Sequence, residues 1–354
     1  MVTEFPSSKP TPYSWRMTFA RYHRQMLLPD WAGGEPGQRR LAASHVLLVG
    51  CGALGCTIAD LLVRAGVGTI TIVDRDVVEL TNLQRQTLFD EHDAAAGLPK
   101  AEAARRRLNA INSQVTVHPI VADFTARNAR RLSEGVQLLL DGTDNFETRY
   151  LLNDLAVDRG VPYVYGGAVA MHGMAMSVIP GVTPCLRCIF DEPPPPGVTP
   201  TCDTAGVLGP VISIIAAAQA ADALAMLLQA DARPGGVLLD VELSPRRLRQ
   251  TDVSKARRDD CPACGLRRLD YLDGGQERIT DFLCGQNSVQ VAPPRESGVI
   301  DLATIRARLE AHGSFSLLST LLLRGTFRHE RGENGEAIGL TLFADGRAIV
   351  KGTQ

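Results

Sequence analysis

From Val46 to about Leu243, short apolar runs alternate with helix-length segments. Val46–Val49, Thr69–Val73, Val115–Val121, Gln137–Leu140 and Tyr163–Tyr165 have the length and composition of strands, whereas Leu54–Ala65, Lys100–Asn109 and Glu147–Arg159 read as helices. Strand, helix, strand in series predicts an α/β fold, a doubly wound, mainly parallel Rossmann-like sheet. Ala175–Ile179 and Val237–Val241 are predicted to extend that sheet, and Pro210–Gln229, rich in Ala, Leu and Ile on most sides, is predicted to be a buried helix.

After Cys264 the pattern changes. Ile279–Val291 reads as one strand, Asp301–His312 as a capped helix, and Gly339–Val350 as a hairpin turning at Asp345-Gly346. The expected organisation is an N-terminal extension and helical arm over 1–40, a nucleotide-binding domain with a metal site over 41–270, and a small C-terminal α+β domain over 271–354. Between Asp191 and Pro200 five prolines fix φ and remove donors, so an exposed loop is expected there.

Composition narrows the class. At 45% apolar the 354-residue chain can bury a proper core, and no run is expected to reach the roughly 18 apolar residues of a membrane span. Met1–Pro12 lacks a basic-then-apolar signal pattern. A net charge of −2 gives no general reason to expect nucleic acid or anionic lipid as a partner. Eight cysteines, four of them in Cys-x-x-Cys pairs, fit a reducing cytoplasm better than a disulfide framework.

The chemistry is carried by a few segments. Gly50-Cys51-Gly52-Ala53-Leu54-Gly55 joins the first strand to a helix, a setting in which backbone N–H groups meet phosphate. Alone it fits NAD, FAD, S-adenosylmethionine or ATP. Asp74 ends the second strand at the spacing for a carboxylate on ribose hydroxyls, or is a strand-end turn residue. Arg85 and Lys100 follow; a dehydrogenase has no need of them, whereas an enzyme attacking a triphosphate must neutralise charge on phosphorus and on departing pyrophosphate. Asp144, in Asp141-Gly-Thr-Asp144-Asn145 at the end of a further strand, either holds magnesium between phosphates or caps a helix. Cys185/Cys188 and Cys261/Cys264 form the two chelating pairs of a closed tetrahedral zinc site. Cys51 and Cys56 read as small buried hydrophobes.

Arg21-Tyr22-His23-Arg24-Gln25, the glycine loop, Asp74-Arg75-Asp76, Asn82-Leu83-Gln84-Arg85-Gln86, Pro99-Lys100, Thr143-Asp144-Asn145, Cys185-Leu186-Arg187-Cys188, Thr201-Cys202 and Cys261-Pro262-Ala263-Cys264 occur in this order. Over roughly residues 17–268 the chain thereby resembles the MoeB/ThiF/HesA family, relatives of the ubiquitin-activating enzymes. The resemblance implies that the 41–270 region is an ATP-binding adenylation domain. It implies an adenylyltransferase that joins the Gly-Gly tail of a ubiquitin-like sulfur-carrier protein to AMP, serving molybdopterin, thiamine or another thiolated product. Gly50, Gly52, Ala53 and Gly55 would carry nucleotide contacts, with Asp74 and Asp76 toward the ribose. Asn82, Arg85 and Lys100 would contact the phosphates, Gln86 and Asn145 would belong to the nucleotide site, and Asp144 would bind magnesium. Arg24 would reach the ATP site of a neighbouring subunit, so a homodimer is implied, and the paired cysteines would carry structural zinc. A cysteine desulfurase or other sulfur donor is a further implied partner; nucleic acid and membrane are not.

Two points stay open in the sequence. The cysteine matching Cys202 forms a thioester or acyl-persulfide in some relatives and is dispensable in others. The tail from about Tyr271 shows no Cys-containing loop with the arginine that marks a rhodanese domain, so it either docks a partner or stabilises the rest. Three rivals are kept in view: a related tRNA-modifying adenylating dehydratase, which the zinc quartet and the lack of net basic charge oppose; a nucleotide-dependent oxidoreductase, which Arg85 and Lys100 oppose; and a non-catalytic nucleotide-binding scaffold, which has no use for Arg24, Arg85, Lys100 and Asp144 together.

Overall fold

The computed structural model describes residues 19–28, 34–194, 202–228, 235–274, 280–283, 288–291, 300–320, 322–332 and 335–352. Eight strands form the main sheet in the order β3-β2-β1-β4-β5-β6-β7-β8: β1 His45–Val49, β2 Thr69–Val73, β3 Thr116–Ile120, β4 Leu138–Asp141, β5 Tyr163–Val169, β6 His172–Val178, β7 Val237–Leu243 and β8 Arg246–Asp252. The pairings among the first five are parallel. β1, β2 and β4 are buried almost throughout, as strands covered on both faces must be.

One face carries α1 (Ala53–Ala65), α2 (Lys100–Ile111) and a long apolar helix, with Leu48, Ile58, Ile72, Leu108 and Ile215 in its core. The other carries α3 (Phe146–Arg159), whose Tyr150 and Leu152 pack with Leu47, Leu139 and Tyr163. α1 and α3 both end on glycines in the left-handed region, Gly66 and Gly160, which close the helices without a Cβ clash.

From β5 onward the pairings are antiparallel, so the last three strands extend the sheet without continuing its winding. At the first of these pairings the link decides the direction. Only Ala170 and Met171 separate β5 from β6, far fewer than the dozen or so residues a parallel crossover needs. β8 is exposed along its whole length and carries Arg246, Arg247 and Arg249, charges that blunt an open edge.

The long helix, α4 (Gly209–Leu228), is apolar and long enough to cross a membrane, with a mean hydropathy of 2.0, contrary to the expectation that no stretch reaches that limit. Its packing gives it another place. Val211, Ile215, Ala216 and Ala223 join the sheet core, and buried Gln219 donates to the Asp141 carbonyl at 2.8 Å.

A second sheet, wholly antiparallel, runs β11-β12-β13-β14-β10-β9: β9 Thr280–Leu283, β10 Ser288–Val291, β11 Gly313–Ser319, β12 Leu322–Arg331, β13 Ala337–Phe343 and β14 Ala348–Lys351. Helix α5 (Leu302–Leu309), capped by the Asp301 side chain, lies on it over Phe315 and Leu323. Of the stretch expected as one strand over 279–291, the described residues form a pair instead, β9 and β10, which run antiparallel; residues 279 and 284–287 lie outside the described residues. β13 and β14 form the hairpin expected at Asp345-Gly346, with Gly346 at φ +89°. Leu322 and Phe343 of this sheet pack on Val77 at the edge of the first.

On the outer side of α3, Asn153 Oδ1 accepts the Leu186 N–H at 2.8 Å and Asp154 Oδ2 accepts the Tyr271 N–H at 2.9 Å. Burial pushes the Asp154 carboxyl up to about 6, outweighing the Tyr271 N–H and Arg187. A carboxyl raised above its unfolded value costs stability once ionised. Its penalty is therefore full above about pH 6 and fades as pH falls toward 4, at most about 3 kcal/mol. Asp154→Asn is expected to raise the denaturation midpoint at pH 7.5 and to remove most of this pH dependence, read by urea unfolding at pH 5 and 7.5.

Candidate active site

β1 pairs with β2 on one side and β4 on the other, so the chain leaves its carboxyl end where the sheet's winding reverses, the place ligands occupy in such sheets. Gly50 there has φ +85°, and a Cβ on it would lie 2.7 Å from the Gly142 carbonyl carbon. A Cβ on Gly55 would come within 2.1 Å of the Gly50 carbonyl oxygen, and one on Gly142 within 2.3 Å of the same atom. These three glycines are required by packing between the loops after β1 and β4.

Gly52 differs. It caps α1 at φ −78°, and a Cβ on it would meet nothing nearer than 3.9 Å among the described residues, namely Gln86 Nε2 and the Gly142 carbonyl. No described residue fills the room beside it. Buried Gln86, next to that room, has an Oε1 with no partner among the described residues. The N-terminal end of α1 also favours negative charge.

Charged groups line the neighbouring loops. Asp74 accepts from the Cys51 N–H (2.6 Å) and the Asp76 N–H (2.8 Å), tying the glycine loop to the end of β2; burial raises its carboxyl, against the pull of Lys100. Lys100, the first residue of α2, donates from Nζ to Asp76 Oδ2 at 3.0 Å. Burial pulls its ammonium down, but Asp76 and Asp74, with Asp144 adding, hold it above its ordinary value. Asn82 Oδ1 accepts the Glu79 N–H and so caps the short 3-10 turn Leu80–Asn82, and half-buried Arg85 donates to the Thr81 carbonyl at 3.1 Å.

Asp144 follows β4 and is exposed, while Asn145 takes the capping position of α3 and accepts the Thr148 N–H at 2.8 Å. The cap is thus satisfied without Asp144, whose charge is felt by Arg75, Lys100 and Arg149. Beneath it the fully buried Asp141 accepts from the Thr143 N–H and hydroxyl and from the Tyr163 hydroxyl. Arg149 donates to the Thr143 carbonyl at 2.9 Å, so the loop presenting Asp144 is held from two sides.

Cys185, Cys188, Cys261 and Cys264 bring four Sγ atoms within 4.8 Å of one another, with contacts of 3.9, 3.6 and 3.4 Å. Four thiolates at about 2.3 Å from a tetrahedral zinc lie about 3.8 Å apart, so this donor set could hold that ion.

A model of the ThiF family matches residues 22–263. The chain belongs to the ThiF family. Among curated ThiF-like relatives, it is 38% identical over 333 residues to the sulfur carrier protein ThiS adenylyltransferase of Bacillus subtilis, covering 94% of this chain and 95% of that protein. It is 40% identical over 250 residues to the sulfur carrier protein adenylyltransferase of Thermus thermophilus, 69% of this chain and 90% of that one. Among solved structures, MccB from E. coli superposes with a TM-score of 0.59 at 25% identity, covering 69% of this chain and 73% of that chain.

Within this ThiF-family chain, Gly50, Gly52, Ala53, Gly55, Asp74, Asp76, Gln86, Lys100 and Asp144 meet around one crevice, with Asn82 and Arg85 on its flanking turn. Arg24 lies elsewhere. Tyr22 beside it packs against Gly66, and Gln25 donates to the Ala65 carbonyl, both at the far end of α1, about 20 Å from the glycine loop. Cys202 begins a short helix, Cys202–Ala205; its side chain, residues 195–201 and Cys284 lie outside the described residues. Cys51 and Cys56 are fully buried. Sequence reasoning passes over Arg75, Asp141 and Arg149: the first sits in a motif between two aspartates, and the others read as a strand end and a surface helix position.

The two kinds of glycine are separable. Gly55→Ala is expected to lower stability by on the order of 3 kcal/mol or more, through the clash with Gly50. Gly52→Ala is expected to leave the melting temperature within a degree or two while weakening ATP binding at least about tenfold. Calorimetric melting and nucleotide titration of both variants check this.

Proposed function

We infer that the protein is an ATP-dependent adenylyltransferase that joins the C-terminal glycine carboxylate of a ubiquitin-like sulfur carrier to AMP. The observation that carries this is the room left by the described residues at Gly52, at a helix N-terminus, with a Gln86 Oε1 that has no partner among them and the Lys100 cation on the neighbouring Asp76. It suits a polyphosphate. The choice of carboxylate rests on the relatives: the Bacillus subtilis protein is named for adenylating ThiS, and the alignment with it extends into the second sheet.

A carboxylate is a poor electrophile, and a mixed anhydride with AMP supplies a good leaving group. The carboxylate oxygen attacks the α-phosphorus in line, and the bond to the bridging oxygen of pyrophosphate breaks. No general base is required, because the nucleophile is already ionised. Positioning and charge neutralisation do the work. Lys100, Arg85 and Asn82 meet the phosphates in this reading, and Asp74, fixed at the end of β2, faces the ribose with Asp76 beside it. Asp144 would hold a magnesium ion, which when bound neutralises phosphate oxygens.

Arg24 can serve the reaction only from a second copy, since its own arm packs at the distant end of α1; the reading therefore includes a homodimer. Adenylation asks nothing of Cys202. A thioester or acyl-persulfide role for that thiol would belong to a sulfur-transfer step that follows, with a cysteine desulfurase or another donor supplying the sulfur. Four reduced thiols in a zinc site suit a cytoplasmic setting.

Exchange of labelled pyrophosphate into ATP is expected only when a carrier ending in Gly-Gly is present. Asp144→Ala is expected to reduce it at least about 100-fold; undiminished exchange would remove Asp144 from the phosphates. Stripping zinc with a chelator is expected to lower the melting temperature before activity falls, because the cluster stands apart from the crevice. Immediate loss of adenylation in a protein that stays folded would refute that separation.

A further inference from the structure

The second sheet does more at the first than bury Val77. Its β13–β14 hairpin presents Arg347, which is 4% exposed. The guanidinium lies over the Phe343 ring, 4.4 Å from its centroid, and donates to Asp345 at 2.7 Å within the hairpin. It also crosses to the main sheet, donating to the Val121 carbonyl at 3.2 Å and lying 3.7 Å from Asp123 Oδ2.

Asp123 is shared. Its other oxygen, Oδ1, accepts Arg75 Nη1 at 3.0 Å. Arg75 Nε lies 3.7 Å from Asp76 Oδ1, and Asp76 Oδ2 accepts Lys100 Nζ at 3.0 Å. Charges of alternating sign therefore run unbroken from Arg347 through Asp123, Arg75 and Asp76 to Lys100. The neighbouring segments have second-sheet contacts too: Arg324 lies 3.6 Å from Glu79, the residue that opens the Asn82 turn, and a Cβ on Gly97 would come 2.8 Å from Leu318.

Docking for stability alone does not call for this arrangement. Burying a guanidinium carries a desolvation cost that an apolar side chain at the same place would avoid. What the arginine adds is direction. Two cations hold one carboxylate, each by a different oxygen, so Asp123 cannot turn without breaking one of them.

We propose that Arg347 is a positioning residue of the nucleotide site: it fixes Asp123, and through it Arg75 and Asp76, so that Lys100 is aimed at phosphate. The C-terminal domain then buttresses the ATP site from behind. This rests on the reading of the crevice as an ATP site. Arg347 touches no substrate.

The test uses the full-length protein, magnesium and the non-hydrolysable α,β-methylene-ATP, with affinity read by isothermal titration and folding by thermal melting. Arg347→Met, which keeps the stem and removes the charge, is expected to weaken binding about tenfold. Arg347→Lys is expected to restore part of the loss. Asp123→Asn leaves the hairpin's own Arg347–Asp345 pair intact and is expected to give a similar loss; it carries the test should the methionine variant fold poorly. Combined, the two changes are expected to cost little more than either alone. Unchanged affinity in folded Asp123→Asn, or in folded Arg347→Met, would overturn the positioning role. Failure of the unaltered protein to bind the nucleotide would instead overturn the ATP-site reading, and this inference with it.

Discussion

Where β1 and β4 end, the backbones of Gly50 and Gly55 lie against Gly142 with no side chain between them. That contact sets how closely the two loops approach, and hence how far Asp144 stands from Lys100 and Arg75. A side chain on Gly50 or Gly142 would drive the two loops apart, and one on Gly55 would press on the Gly50 carbonyl within its own loop. Gly52 sits within the same loop yet is crowded by no described residue, so one hexapeptide contains two different reasons for glycine. One is internal packing and the other is space left for a visitor.

Around this seam the charges are arranged at two depths. Asp141, Arg149, Tyr163 and Gln219 form a buried polar layer under the loop after β4, supporting it without facing the crevice. Above it, Asp74, Asp76, Lys100 and Asp144 line the open side of the loops. The lower layer confers orientation through the bonds it does make, Arg149 to the Thr143 carbonyl, Tyr163 to Asp141 and Gln219 to the Asp141 carbonyl. The upper layer keeps Lys100 charged despite its burial, since three carboxylates outweigh the loss of water.

Much of this architecture is legible in the order of amino acids, for identifiable reasons. Strands buried on both faces are continuous apolar runs, so β1, β2 and β4 stand out. β8 does not, because Arg246 to Asp252 buries neither face and leaves no alternation to read. The cysteine pairs announce their cluster through spacing alone. Asp144 and Asn145 are equally good caps by residue type, and only the backbone shows that Asn145 takes the position. Arg347 is invisible at that level. An arginine after Asp-Gly in a hairpin reads as solvated surface, and its burial comes from Val121 and Asp123, more than 200 residues away in sequence.

The thiol cluster has one more consequence, in the chain before it folds. Joining Cys185 to Cys261 through a metal closes a ring of 76 residues that contains all of α4. A covalent link over that span would remove about 4.5 kcal/mol of disorder from the denatured ensemble, and a metal held by both pairs would act the same way while it stays bound. It also confines the most oily stretch of the protein to the neighbourhood of its own sheet. A helix greasy enough for a bilayer is the segment with most to lose by wandering, and a ring closed by a metal would hold it on a short leash at both ends.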